Sequence, residues 1–322
     1  MKLKMARRLG IIFFFSLVSP ALFAEEEVRK YTIRKDLNYG DRENQKHTLD
    51  LYLPKIRNLR KPLPVVIWIH GGGWRSGDKQ SGSRIDRLHG IASTGRYVGA
   101  SISYRLSTQS KWPAQIHDCK AAIRWLRGNA EKFEIDPNRI AVWGSSAGGH
   151  LASFIGTTAG LPGFEGKIGK YPLKSTRVQA VINYYGPSAF LRMDDFPSKI
   201  IHNSPYSPES RLIGAPIQKA KEKAREASPI THVSEDDPPF LHLHGTEDPL
   251  VPFNQSEILH DALEAKQVTS SLVTVRNRGH SMPGVYTWKF VIPFLDFHLL
   301  DRGQEISSQE VVAPDPKPVQ KR

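Results

Sequence analysis

The sequence predicts an α/β fold in which a mostly parallel sheet is covered by helices on both faces. Three observations carry this. Wholly apolar runs of strand length, such as Val65-Val66-Ile67-Trp68-Ile69, read as strands buried on both sides. Stretches of helical periodicity, such as Ala114 to Lys132, alternate with them, and strand-helix-strand order is the signature of a parallel sheet. Finally, Arg139 to His150 reads as a strand, a sharp turn and a helix, with a serine on the turn.

The 322 residues suffice for one substantial core, and no repeat of about 20 to 50 residues is visible, which argues against solenoids and propellers. Lys2, Lys4, Arg7 and Arg8 precede the apolar run Leu9 to Val18 and the small residues ending at Ala24. That is the pattern of a secretory signal peptide over residues 1–24, too short in its apolar part to span a bilayer comfortably. The expected destination is the periplasm or the exterior, without stable membrane insertion once the segment is removed. The single cysteine, Cys119, excludes an internal disulfide and sits in an apolar helical pattern, as a buried, inert thiol would. Net charge is +13, but the basic residues are scattered, so nucleic-acid binding has no support.

Taken in order, Tyr31 to Arg34 and His47 to Leu53 alternate as half-exposed strands and form an opening antiparallel pair. Val65 to Ile69, Tyr97 to Tyr104, Ile140 to Trp143, Val178 to Tyr184, Pro239 to His244 and Ser271 to Val275 follow as strands of the sheet. Residues 188–230 are mixed in character and too long for a plain connection, which marks them as a small cap over the strand ends. Trp288 to Leu300 closes the domain as a helix, giving a unit over residues 25–302. The polar, proline-bearing residues 303–322 are expected to be a disordered tail.

The chemistry gathers where these strands end. Gly144, Ser146 and Gly148 place a hydroxyl on a turn too tight for a Cβ on either flank. His70-Gly71-Gly72-Gly73-Trp74 directly follows a strand, and its uncovered N–H groups suit an oxyanion that would also receive the N–H of Ala147. Spacing does not settle which of the three glycines donate; Gly72 and Gly73 are favoured. Asp248, just past a strand, is the acid to orient a histidine, with Glu247 as its competitor. His280 follows the last predicted strand and completes the order serine, acid, histidine. His70, His150, His242 and His244 are assigned to packing or loop support. Trp74 and Tyr185 are candidates for the pocket lining. The sequence offers no convincing metal-ligand set, and this chemistry needs neither metal nor other cofactor.

His70-Gly-Gly-Gly-Trp74, Asp136-Pro-Asn-Arg139, Gly144-Ser-Ser-Ala-Gly-Gly-His150, His244-Gly-Thr-Glu-Asp248 and Gly279-His280 together resemble the α/β-hydrolase superfamily. The likeness runs over about residues 30 to 300. It points to secreted bacterial esterases of the feruloyl/acetyl xylan esterase-like (BD-FAE-like) group, related to the HGGG-bearing hormone-sensitive-lipase-like enzymes. It implies a sheet of about eight strands, a triad of Ser146, Asp248 and His280, and an oxyanion hole at the glycine loop and Ala147. The expected activity is hydrolysis of short-chain or aromatic acyl esters, free or linked to polysaccharide. An arylformamidase-like or peptidase amide hydrolase and a non-catalytic binding protein are the alternatives. Nothing in the sequence indicates an oligomeric state.

Overall fold

A computed structural model describes residues 30–41, 43–55, 61–83 and 87–313. The predicted signal segment, residues 1–24, lies outside them. Among the described residues nine strands form one sheet, in the order β1-β2-β4-β3-β5-β6-β7-β8-β9. They are β1 (Tyr31–Asn38), β2 (Thr48–Pro54), β3 (Leu63–Ile69), β4 (Val98–Ile102), β5 (Ile135–Ser145), β6 (Ala180–Tyr184), β7 (Phe240–Gly245), β8 (Ser270–Arg276) and β9 (Gln309–Val312). β1 pairs antiparallel with β2, and β2 with β4; the remaining pairs are parallel. The opening hairpin and the parallel body are those the sequence predicts.

The helices are α1 (Leu88–Ser93), α2 (Ala114–Gly128), α3 (Ala130–Phe133), α4 (Ala147–Thr157), α5 (Pro162–Glu165), α6 (Pro208–Ile213), α7 (Lys221–Glu226), α8 (Asn254–Ala265) and α9 (Ile292–Leu300). Successive side chains of a strand point to opposite faces, so the continuous apolar run of β3 feeds two cores. Val65, Ile67 and Ile69 pack with Ile123 of α2 and Leu151 of α4. Val66 and Trp68 pack with Ile91 of α1 and Phe294 of α9. Cys119 is buried on the first of these faces, where burial pushes its thiol well up.

The tail requires a correction. Residues 303–313 are not a disordered extension: Gln309–Val312 pairs with β8 in register from Val273↔Gln309 to Arg276↔Val312. β9 thereby covers the open edge β8 would otherwise present, and Arg276 holds it through an ion pair with Glu310 at 2.6 Å. Three of its four residues are exposed, so it has no apolar alternation to betray it in the sequence. The sheet accordingly has one strand more than the resemblance implies. Residues 314–322 lie outside the described residues.

Candidate active site

The parallel strands β3, β5, β6, β7 and β8 deliver their carboxyl ends to one rim, where loops gather in open sheets of this kind. β5 ends at Ser145 and α4 begins at Ala147, which leaves Ser146 alone on the turn with φ 56° and ψ −124°. A non-glycine residue there is strained by about 1–3 kcal/mol, and neighbouring packing must hold it. That packing is close: a Cβ on Gly144 would fall 2.1 Å from Gly148 O, and one on Gly148 would fall 2.1 Å from Ile69 O. Ser146 N–H donates to Tyr184 O at 2.9 Å, and Ser146 O accepts from His150 N–H at 3.0 Å.

The glycine loop after β3 packs directly on this turn. A Cβ at Gly71 would meet Ser145 O at 2.8 Å. Gly72 adopts φ 103° and its carbonyl accepts from the N–H groups of Arg75 and Ser76, closing a tight turn. Among the described residues, the N–H groups of Gly72, Gly73 and Ala147 have no acceptor within the protein. Trp74 then turns inward. Its indole N–H donates to His150 Nδ1 at 3.2 Å, while His150 Nε2 donates to Ala227 O at 2.7 Å. Those two bonds define a neutral ring with its hydrogen on Nε2, and burial lowers its pKa to about 4. His150 is therefore loop support, as the sequence suggests. Trp74 lines the cavity, but its indole is buried and anchors the loop.

Asp248 lies after β7 and is buried, whereas Glu247 is exposed. Asp248 Oδ1 accepts from the N–H groups of Leu250 and Val251 at 2.8 and 3.0 Å. Oδ2 accepts from His280 Nδ1 at 2.7 Å. Burial raises this carboxyl, but the hydrogen bonds and charges of His244 and His280 more than offset it, holding the pKa well below the usual carboxylate range. With Nδ1 engaged by Asp248, Nε2 is the ring atom of His280 left for other partners. Tyr185 packs against the same ring at a centroid distance of 4.5 Å.

His244 is loop support, one of the two roles the sequence suggests for it, and its support reaches Asp248 itself. Its Nε2 lies 3.0 Å from Val251 O and 3.3 Å from Asp248 Oδ2, and its Nδ1 lies 2.8 Å from Ser256 Oγ. It fixes the loop that carries Asp248. The i, i+4 spacing of His244 and Asp248 across the strand end is the signal that could have found it.

Ser146, His280, Gly72, Gly73, Ala147 and Tyr185 all line one cavity of about 360 Å³. The structure thus brings together Ser146, His280 and the glycine loop from three separate chain segments, with Asp248, from a fourth, behind the histidine. The excursion 188–230 contributes Ile200, His202, Pro208 and Glu209 to the same cavity. Sequence reasoning placed that segment over the strand ends but singled out none of these four. Among the described residues no group of histidine, cysteine, aspartate and glutamate is arranged to hold a metal ion, and no helix is long and apolar enough to cross a membrane.

A strained serine at the strand-to-helix turn, with its acid and histidine following in that chain order on later strand ends, defines an α/β hydrolase. Residues 49–263 match the BD-FAE family, and the chain belongs to it. It is 34% identical over 235 residues to the probable carboxylic ester hydrolase LipM of Mycobacterium tuberculosis, covering 73% of this chain and 52% of that one. It is 34% identical over 247 residues to Esterase LipC of the same organism, covering 74% and 56%. The chain therefore spans about half the length of the curated relatives it matches. A solved structure described as a truncated form of a carbohydrate esterase from gut microbiota superposes with a TM-score of 0.75. It shares 31% identity, with 84% of this chain and 96% of that chain covered.

Proposed function

We propose that the protein is a serine carboxylic ester hydrolase acting through an acyl-serine intermediate. The observation that carries this reading is the 2.7 Å His280–Asp248 pair on the cavity that also holds Ser146 on its strained turn. Ser146 Oγ attacks the ester carbonyl carbon as His280 Nε2 takes its proton, and Asp248 stabilises the imidazolium that forms. The carbonyl oxygen becomes an oxyanion facing the N–H groups of Gly72, Gly73 and Ala147. Each such donor is worth about 3–4 kcal/mol in transition-state stabilisation. The C–O bond to the alcohol then breaks and His280 returns the proton to the leaving oxygen. Water, deprotonated by the same ring, releases the acid and restores Ser146.

The names of LipM, LipC and the gut carbohydrate esterase favour esters over amides. Short acyl or aromatic acyl esters, including those on plant polysaccharide, are the proposed substrates. Excursion 188–230 acts as the cap over them. The composition of residues 1–24 supports export to the periplasm or exterior. Hydrolysis of p-nitrophenyl acetate, with a fluorophosphonate label mapped to residue 146, tests the reading. Turnover that survives Ser146→Ala would refute it, and faster cleavage of N-formylkynurenine than of any ester would move the protein to amide chemistry.

A further inference from the structure

The cavity wall contributed by 188–230 holds two charged side chains that the acyl-transfer chemistry does not use. Glu209 is 2% exposed and His202 is 1% exposed, and both line the cavity. Glu209 Oε2 lies 3.1 Å from His202 Nδ1, close enough for an ion pair but outside the angles of a directed hydrogen bond. Among the described residues no donor reaches Glu209 Oε1. A carboxylate taken out of water loses several kcal/mol of hydration, so a cavity wall that retains one has a substrate donor as the natural complement.

The pair is held firmly. His202 Nε2 lies 3.1 Å from Leu250 O and 3.3 Å from Ser198 Oγ, and His202 N–H donates to Asp194 Oδ1 at 2.9 Å. Lys199 N–H donates to Pro249 O at 2.7 Å, so this wall is tied to the loop that carries Asp248. A carbonyl facing Nε2 places a hydrogen on that nitrogen, and a carboxyl oxygen 3.1 Å from Nδ1 favours one there as well. Burial opposes the resulting charge, yet Glu209 and Asp194 outweigh it and raise the pKa of His202. Within this cluster the charge of Glu209 is partly offset by His202. What the pair presents is an acceptor positioned in advance for a donor.

We propose that Glu209, positioned by His202, is a hydroxyl-binding subsite that accepts a hydrogen bond from a free hydroxyl of the ester substrate. The proposal rests on the esterase reading and names the feature by which the site selects its esters. A hydroxyl of this kind has two sources: a sugar alcohol next to the scissile ester, or the phenol of an aromatic acyl group. A site built to bond a hydroxyl discriminates strongly against the analogue that lacks it, because its own buried acceptor is then left unpaired.

The test uses matched substrate pairs with the full chain. One arm compares a monoacetylated methyl xyloside with its O-methylated counterpart; the other compares methyl ferulate with methyl 3,4-dimethoxycinnamate. The readout is the ratio of kcat/KM between free and methylated members, so the amount of active protein cancels. The unmodified protein is expected to favour the free hydroxyl by about tenfold or more in at least one arm. The arm that shows this identifies the source. Glu209→Gln, which keeps a weaker neutral acceptor, should reduce the ratio, and Glu209→Ala should bring it close to one. A ratio near one in both arms of the unmodified protein overturns the proposal without any variant. A ratio that persists in Glu209→Ala overturns it as well. Failure of the esterase reading looks different, since no ester would turn over and residue 146 would take no label.

Discussion

The floor and the roof of the cavity are built by different means. The floor, from β3, β5, β6, β7 and β8, holds its groups largely by backbone: Ser146 is fixed by a bond to Tyr184 O, and Asp248 by the N–H groups of Leu250 and Val251. The roof, residues 188–230, has only short helical turns such as α6 and α7 joined by loops, and side chains do much of the fastening. Gln255 Oε1 accepts from the N–H groups of Ser188 and Ala189 at 3.0 and 2.8 Å, and Asp194 accepts from those of His202 and Asn203. The floor's geometry follows from the sheet and is suited to invariant chemistry. The roof's geometry depends on a few replaceable side chains and is suited to choosing among substrates.

Substitutions in the floor should therefore reduce kcat. Ser146→Ala removes the proposed nucleophile, and kcat is expected to fall on the order of 10⁵–10⁶-fold while the fold is retained, as a melting curve would verify. Asp248→Asn keeps the shape but not the charge beside His280. Steady-state kinetics should record a loss of about 10⁴-fold, again in kcat. Gly72→Ala strains a residue at φ 103° and drives a Cβ to 2.3 Å from Ser76 O. Displacing that donor loop should cost about 10²–10³-fold in kcat with little change in KM. If any of these three acted mainly on KM, the division between floor and roof would fail.

The same division explains what the sequence disclosed. Gly144, Ser146 and Gly148 are legible because a turn of that tightness tolerates so few residues that the pattern carries the geometry. Asp248 and His280 are legible because a polar side chain just past an apolar strand has one place to be, the rim. His202 and Glu209 have no such marker. They stand seven positions apart, His202 in a loop and Glu209 on the six-residue α6, which is too short to show a period, and only the folded path of 194–209 brings them together. β9 was illegible for another reason: its four residues form a strand because β8 offers an open edge, and that is a property of the partner.

Loosening the roof should be read in binding and stability. Gln255→Ala leaves the buried N–H groups of Ser188 and Ala189 without an acceptor, at about 1–3 kcal/mol each. The expected result is a melting temperature lower by several degrees and a KM raised more than kcat is lowered. A kcat loss as large as that of Gly72→Ala would show that the roof positions the reacting atoms.

The smallest effect separates the two regions by the sign of their pH dependence. Asp248 has a folded pKa below its unfolded value near 3.8. Its contribution to stability is present above that value and is lost as pH falls through the folded pKa. His202 has a folded pKa above its unfolded value near 6.5, with Glu209 and Asp194 as the charged groups facing it. Its contribution is complete below pH 6.5 and fades as pH rises through the folded pKa. His202→Gln, which removes only the titrating ring, should therefore lower the melting temperature by a few degrees at pH 6 and by less at pH 9. An equal loss at both pH values would mean that His202 is held by packing alone, and the roof would then lack the ion pair that keeps Glu209 in place.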